Sequence, residues 1–323
     1  MQRQQKFGID LPKTVQEAYL FDAKNGNTKL ADTISKEIKN EHTVFNFIED
    51  DANIPIGFQQ IRYHLVFDIK MDFTHKARLV AGGHTTEVIE MYNYSSVVSR
   101  ESVRIAMVVA ALNSLKIEAG DIQNAYLTAP CLEKRYTVCG PESGPDLQGK
   151  RAIIVRALYG LRSSRKAFRN HLSAGIKELG WTPCKADADV YYKSATRSDG
   201  TIYYKYLLAY VDDLLCISHE PSLDIDQIDH YFKIKDNSRG VPKVYLGGQI
   251  NAVTLSNNVH AWSFTSSKYV QDALQNIQRH IFTEYDMKLP TRVSTPCTSG
   301  YRPELNISRE LTDSRVVYFM SLI

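Results

Sequence analysis

Two adjacent aspartates, Asp212 and Asp213, stand in YVDDLL between an apolar run that leads in (YKYLLAYV) and one that leaves (LLCIS). Runs rich in β-branched and aromatic residues read as strands, so the pair occupies a tight hairpin turn. Asp is a favoured turn residue, and that is the plain structural explanation. Two like charges between buried strands repel, however, and a bound cation offsets that repulsion. Metal binding is the better reading once a third carboxylate joins them. Asp121 in DIQNAYL is the candidate, because it too ends an apolar stretch, LKIEAGDI, ahead of a short helix or turn. If that strand pairs with an arm of the hairpin, Asp121, Asp212 and Asp213 converge at one sheet edge. Carboxylate oxygens suit Mg²⁺, and two such ions can hold the attacking and leaving oxygens of an in-line phosphoryl displacement. Alone, Asp121 would be a strand-end cap.

Phosphate chemistry needs cations on the protein as well. Between positions 150 and 170 there are seven Lys or Arg (Lys150, Arg151, Arg156, Arg162, Arg165, Lys166, Arg169) and no acidic residue. A solvated helix face explains such a run as readily as a phosphate-contacting surface does. Arg162, Arg165 and Arg169 fall along one face of the helix expected there. In KARLVAGGH, Lys76 and Arg78 alternate with Ala77 and Leu79, so both basic side chains leave one side of a strand, where they could hold a triphosphate. The nine His show no ligand spacing, and no Gly-rich nucleotide loop or Ser-His-Asp arrangement is present.

The elements that must position these groups follow from periodicity. A capping-box pattern at Thr14 and Glu17 opens a first helix, and Leu30, Ile34 and Ile38 mark a second at spacing four. From position 61 the alternation of IRYHLVFDIKM and then KARLVAGG predicts two strands. Residues 101–115 predict a helix that is apolar nearly all round and therefore buried. RAIIVRAL predicts a strand, and Ser164 caps a helix over 165–179 with Phe168, Leu172, Ile176 and Leu179 inward. DVYYK, the two arms of the Asp hairpin and VPKVYLGGQI predict strands, with helices over 224–232 and 267–279. Interleaved strands and helices with a central hairpin predict an α+β sheet fold rather than a doubly wound one.

Composition narrows the classes. The 323 residues are 43% hydrophobic and 23% charged, an ordinary folded chain with room for two or three subdomains. A formal net charge of +3 is too small to imply a nucleic-acid partner by itself. Five Cys without a C-x-x-C pair argue against a disulfide framework and a zinc ribbon. The longest apolar run, over 105–112, is too short to span a membrane, and the N-terminus lacks a secretory core. The expectation is an intracellular protein with no membrane partner.

KARLVAGGH, DIQNAYL, LYGLRSSRKAF, YVDDLL and VYLGGQI, in that order, resemble the reverse transcriptase of copia-type LTR retrotransposons. The resemblance runs from about Phe58 to His280. It implies a right-hand polymerase of fingers, palm and thumb with a ferredoxin-like palm. The implied divisions are 1–58 as a helical lead-in between integrase and polymerase, 59–250 as fingers and palm, and 251–323 as thumb and the truncated start of the connection. Asp121, Asp212 and Asp213 match the catalytic, metal-holding aspartates, which implies two Mg²⁺ ions, with Mn²⁺ as a substitute. Lys76 and Arg78 match the residues that hold the incoming triphosphate. Tyr126 matches the aromatic residue that excludes a ribose 2′-hydroxyl. Tyr210 and Val211 line the primer end, and Tyr245, Leu246 and Gly247 resemble the primer grip. Within LYGLRSSRKAF the chain departs from the family's pattern, with Ser163 for Gln, Arg165 near the usual Pro and Phe168 for Trp.

The resemblance thus implies an RNA-directed DNA polymerase that adds dNTPs to a primer on an RNA or DNA template. It implies cytoplasmic virus-like particles, with the nucleus as a second location. The chain has no room for the protease, integrase or ribonuclease H of such polyproteins, so it reads as a fragment. The alternatives are a truncated remnant that binds nucleic acid without turnover and a structural remnant without a partner. The oligomeric state is left open.

Overall fold

The computed structural model describes residues 4–39, 41–49, 51–70, 72–83, 95–256, 258–292 and 311–322. It is a mixed α/β structure with several sheets. Two compact units divide the chain: one is made of residues 1–34, 67–77 and 267–323, the other of 35–66 and 78–266.

The larger unit is organised by a five-stranded antiparallel sheet. Its order is Thr182–Pro183, Val190–Thr196, Ile202–Tyr210, Asp213–Ser218 and Lys116–Asp121. Asp213–Ser218 is buried along almost its whole length, which is why LLCIS is continuously apolar rather than alternating. Period-2 geometry sends its side chains to two different cores. Leu214 and Cys216, with Leu207 and Ala209 of the neighbouring strand, join a cluster containing Phe168, Leu172 and Ile176 of the helix Ser164–Glu178, and Ile225 and Ile228 of the helix Pro221–Tyr231. Leu215, Ile217 and Leu208 join a second cluster with Val103, Ala106, Met107 and Ala110 of the helix Arg100–Leu112. The sheet is therefore covered on both faces, and burying each large aliphatic side chain contributes roughly 1.5–3 kcal/mol.

Three expectations need correction. The helix Arg100–Leu112 is not buried all round: Ile105, Val108 and Leu112 are 63%, 56% and 74% exposed. The helix packs on the five-stranded sheet and on the strand His260–Thr265, and these three side chains still remain largely open to solvent. VPKVYLGGQI is not one strand but two, Val244–Tyr245 and Gly248–Thr254. Leu246 and Gly247 form the two-residue link with φ of 47° and 77°, the left-handed pair that closes a tight hairpin. Ser164 does not cap its helix; it is the first helical residue, and its Oγ donates to the Leu158 carbonyl at 2.6 Å. Ser163 stands at the cap position, but its backbone N–H and hydroxyl both donate to Glu133 instead.

Other local readings hold. Thr14 caps Val15–Asn25 by accepting from the Glu17 N–H at 3.1 Å, and Gly26 ends the helix at φ 62°. Tyr63–Ile69 and His75–Ala81 form a two-stranded sheet with the expected alternation of buried and less buried positions. In the smaller unit, the helix Ser267–Tyr285 sets the Arg279 guanidinium 3.8 Å from the centre of the Phe73 ring. No helix among the described residues is long and apolar enough to cross a membrane.

Candidate nucleotidyl-transfer site

The Asp hairpin is the tightest possible. Tyr210 pairs with Asp213, leaving Val211 and Asp212 as the two-residue turn. Val211 takes φ 56°, a left-handed conformation that costs a β-branched residue about 1–2 kcal/mol. Strain of this kind persists only where the flanking structure imposes it. Here two buried strands do so, and the Val211 side chain packs against the first core cluster.

The next strand brings in the third carboxylate. Lys116–Asp121 lies antiparallel to Asp213–Ser218, in a register that sets Asp121 directly opposite Asp213. The Ile122 N–H donates to the Asp212 carbonyl at 2.9 Å, which continues the pairing into the turn. Like charges opposite each other on one sheet face destabilise it. The effect shows at Asp213: burial, then Asp212 and Asp121 nearby, push its carboxyl up to about 6, with Lys235 opposing.

Lys235 joins the cluster from a distant stretch of chain. Its Nζ lies 2.6 Å from Asp121 Oδ1, and its backbone N–H donates to the Asp121 carbonyl at 2.9 Å. The Asp121 N–H in turn donates to Ser238 Oγ at 2.9 Å. Asp121 is thus clamped by backbone and side chain to a segment 114 residues away, a link with no signal in local spacing. Three hard carboxylate donors with an excess of negative charge match the chemistry of a magnesium-type ion. As they stand, no three His, Cys, Asp or Glu side chains among the described residues form a metal-holding group.

A second constellation surrounds Tyr126. It lies in the short helix Ala125–Thr128, and its ring is 4.8 Å from that of Tyr159 and 5.9 Å from that of Phe168. The Arg78 guanidinium lies 5.1 Å from the Tyr159 ring centre, and Arg78 Nε is buried without a hydrogen-bond partner. Lys76 lies two residues earlier, on the same less buried side of the strand His75–Ala81. Burial pushes the Tyr159 hydroxyl up to about 12, with Arg78 opposing and Asp212 and Tyr126 adding to the rise. Tyr159 therefore sits within electrostatic reach of both constellations. It lies in LYGLRSSRKAF, where nothing in the local spacing marks it out from its neighbours.

The remaining candidates lie apart in character. Tyr210 is exposed beside the turn, whereas Tyr245 is buried in the second core cluster with its hydroxyl unpartnered. Leu246 packs against the same cluster, and Gly247 completes the link. Arg165 is exposed to solvent. Arg169 donates through Nε to the buried Asp189 at 2.8 Å, and Ser96 Oγ donates to that same carboxylate. Arg162 Nε donates to the Gly83 carbonyl at 3.1 Å, and Arg156 and Arg151 bond to the carbonyls of Thr128 and Glu49. Much of the basic run is therefore engaged within the fold, with acceptors drawn from distant stretches of chain.

Comparison with known proteins bears on what this arrangement serves. A family model described as reverse transcriptase (RNA-dependent DNA polymerase) matches residues 44–283. The chain is 26% identical over 248 residues to the retrovirus-related Pol polyprotein from transposon RE1 of Arabidopsis thaliana, covering 74% of this chain and 15% of that protein. It is 24% identical over 318 residues to the corresponding polyprotein from transposon TNT 1-94 of Nicotiana tabacum, covering 94% of this chain and 22% of that protein. A third, from transposon RE2 of Arabidopsis thaliana, is 27% identical over 172 residues, which is 50% of this chain and 11% of that protein. The resemblance to transposon-encoded reverse transcriptases is borne out, over a small part of the length of those relatives.

Proposed function

Because the chain belongs to the reverse transcriptase (RNA-dependent DNA polymerase) family, we propose that it extends a primer 3′-hydroxyl with dNTPs on an RNA or DNA template. The observation that carries this reading is the register that pairs Asp121 with Asp213 beside Asp212. Within it, residues 59–250 serve as fingers and palm of a right-hand polymerase and 251–323 as thumb.

Asp121, Asp212 and Asp213 are the residues that would hold two Mg²⁺ ions, or Mn²⁺ in their place. When bound, such ions activate the attacking hydroxyl and neutralise charge on the transferring phosphate. The chain's own groups do the positioning, which is most of what phosphoryl transfer asks of a protein. Lys235 orients Asp121 and balances part of the cluster's charge. Arg78, with Lys76, takes the triphosphate. Tyr126 closes the space that a ribose 2′-hydroxyl would need. Tyr210, Val211 and the hairpin of Tyr245, Leu246 and Gly247 seat the primer end, and of Arg162, Arg165 and Arg169 it is the exposed Arg165 that meets the phosphates of the duplex, the other two being bonded within the fold.

Primer extension on poly(rA)/oligo(dT) with Mg²⁺ tests the proposal. Synthesis by the wild-type chain, reduced at least about a thousandfold in Asp212→Asn with primer-template affinity retained, is the expected result. Extension that survives Asp212→Asn rejects the site. Binding with a steep salt dependence but no extension by the wild-type chain makes it a nucleic-acid-binding remnant instead.

A further inference from the structure

Arg78, Tyr126 and Tyr159 come from three separate stretches of the chain and meet at one ring. The Tyr159 ring lies 4.8 Å from the Tyr126 ring and 5.1 Å from the Arg78 guanidinium. The backbone under that ring is also tied to the strand carrying Arg78. The Ala81 N–H donates to the Tyr159 carbonyl at 2.7 Å, and Val80 and Tyr159 form a parallel bridge. The approach is so close that only glycine fits beside it. Gly160 is at φ 88°, and a Cβ there would come within 2.0 Å of the Ala81 carbonyl oxygen, while a Cβ on Gly83 would come within 2.0 Å of the Gly160 carbonyl oxygen.

We infer that Tyr159 is the positioning residue for sugar selection, a shared support that fixes Tyr126 against the nucleotide and couples it to Arg78. The inference rests on the reading of Tyr126 as the ribose gate and Arg78 as a triphosphate ligand. A hydroxyl is a small group, and a gate excludes it only if the gate cannot step aside, because sub-ångström displacements decide such discrimination. Tyr126 has two aromatic neighbours that limit its movement. Phe168, at 5.9 Å, is a core side chain held by its helix. Tyr159 is the nearer, is only partly buried, and is the one that also carries Arg78. A triphosphate that draws on Arg78 is therefore felt at the gate through one ring, and nucleotide binding and sugar inspection become a single event.

The test compares kcat/KM for dTTP and UTP on poly(rA)/oligo(dT) in Tyr159→Ala, Tyr159→Phe, Tyr126→Ala and the double variant Tyr126→Ala/Tyr159→Ala. Tyr159→Ala is expected to lower the preference for dTTP by roughly three- to tenfold, the range an aromatic pair supports. It should also raise KM for dTTP more than it lowers kcat. Tyr159→Phe keeps the ring and should keep the preference. In the Tyr126→Ala background the second substitution should add nothing, since it acts through the residue already removed. Should Tyr159→Ala fold poorly, Tyr159→Leu carries the same comparison with apolar bulk but no ring. An unchanged preference in Tyr159→Ala, where Tyr126→Ala loses it, overturns the inference and leaves the gate standing. Equal losses for both nucleotides, or additive effects in the double variant, overturn it too. If Tyr126→Ala itself leaves the preference intact, the gate reading fails and this inference goes with it.

Discussion

At the residue scale the decisive group is Asp213. Burial and the carboxylates of Asp212 and Asp121 raise its folded value to about 6, against an ordinary carboxylate value near 4. The folded state therefore holds the Asp213 proton more tightly than the unfolded chain does. Below about pH 4 the group is neutral in both states and costs nothing. As pH rises from about 4 to 6 the unfolded chain ionises first, and stability falls; above 6 the full penalty remains. After allowance for partial solvent screening the penalty is about 1 kcal/mol. Asp213→Asn in the metal-free chain should accordingly raise stability by about that amount at pH 7.5 and leave it unchanged at pH 4. Urea unfolding at the two pH values measures it, and equal effects at both would show that Asp213 bears no such load. Magnesium should stabilise the wild-type chain at pH 7.5 and the Asn variant much less, since the ion supplies the counter-charge the fold omits.

At the element scale, backbone approach and turn geometry determine what can be altered. The contact between Gly160 and Ala81 leaves no space for a side chain, whereas Gly26, at φ 62° and ψ 35°, has open space around its Cβ position. Gly26→Ala therefore carries only the cost of a left-handed backbone, about 1 kcal/mol. Gly160→Ala pays that cost and must also separate the Arg78 strand from the Tyr159 turn, for a loss of about 3 kcal/mol or more. Urea midpoints of the two variants give the comparison, and matching losses would mean that the strand and turn part without cost. The helix Ser164–Glu178 shows a related dependence on neighbours. With Ser163 committed to Glu133, its N-terminus is held by packing and by that carboxylate rather than by a side-chain cap.

At the scale of the whole molecule, electrostatics distinguishes residues that look alike in a charge run. Arg165 is exposed, whereas Arg169 is paired with an Asp189 side chain that is only 4% exposed. Arg165→Glu should change stability by less than about 0.5 kcal/mol. It should weaken primer-template binding across all sequences and reduce the salt slope by about one or two. Arg169→Glu instead sets two carboxylates together beside Ser96 and should cost about 3 kcal/mol or more of stability. Denaturation together with binding at two salt concentrations separates these outcomes, and identical behaviour of the two variants would refute the distinction. The rest of the relatives' length lies outside the matched region, which covers 15% and 22% of the two polyproteins described first.

Local pattern was enough to place most elements, since hydrophobic period and turn chemistry act over a few residues. The strand–turn–strand around Asp212 and Asp213, the alternation through Lys76 and Arg78, and the cap at Thr14 are all legible in that way. The link at Leu246 and Gly247 was legible in principle, from a Gly-Gly after an apolar pair, but β-branched neighbours masked it. What the letters alone determined was the longer helices, the strands of the Asp hairpin, the family resemblance and three acidic candidates, while strands such as Arg135–Val138 and His260–Thr265 came only with the structure. Only tertiary structure decided that Asp121 lies opposite Asp213, that Lys235 neutralises it, that Asp189 engages Arg169 and that Tyr159 stands under both Tyr126 and Arg78. Register, ion pairing and ring contacts join groups far apart in the chain, and their free energies depend on which surfaces meet rather than on which residues are neighbours in sequence.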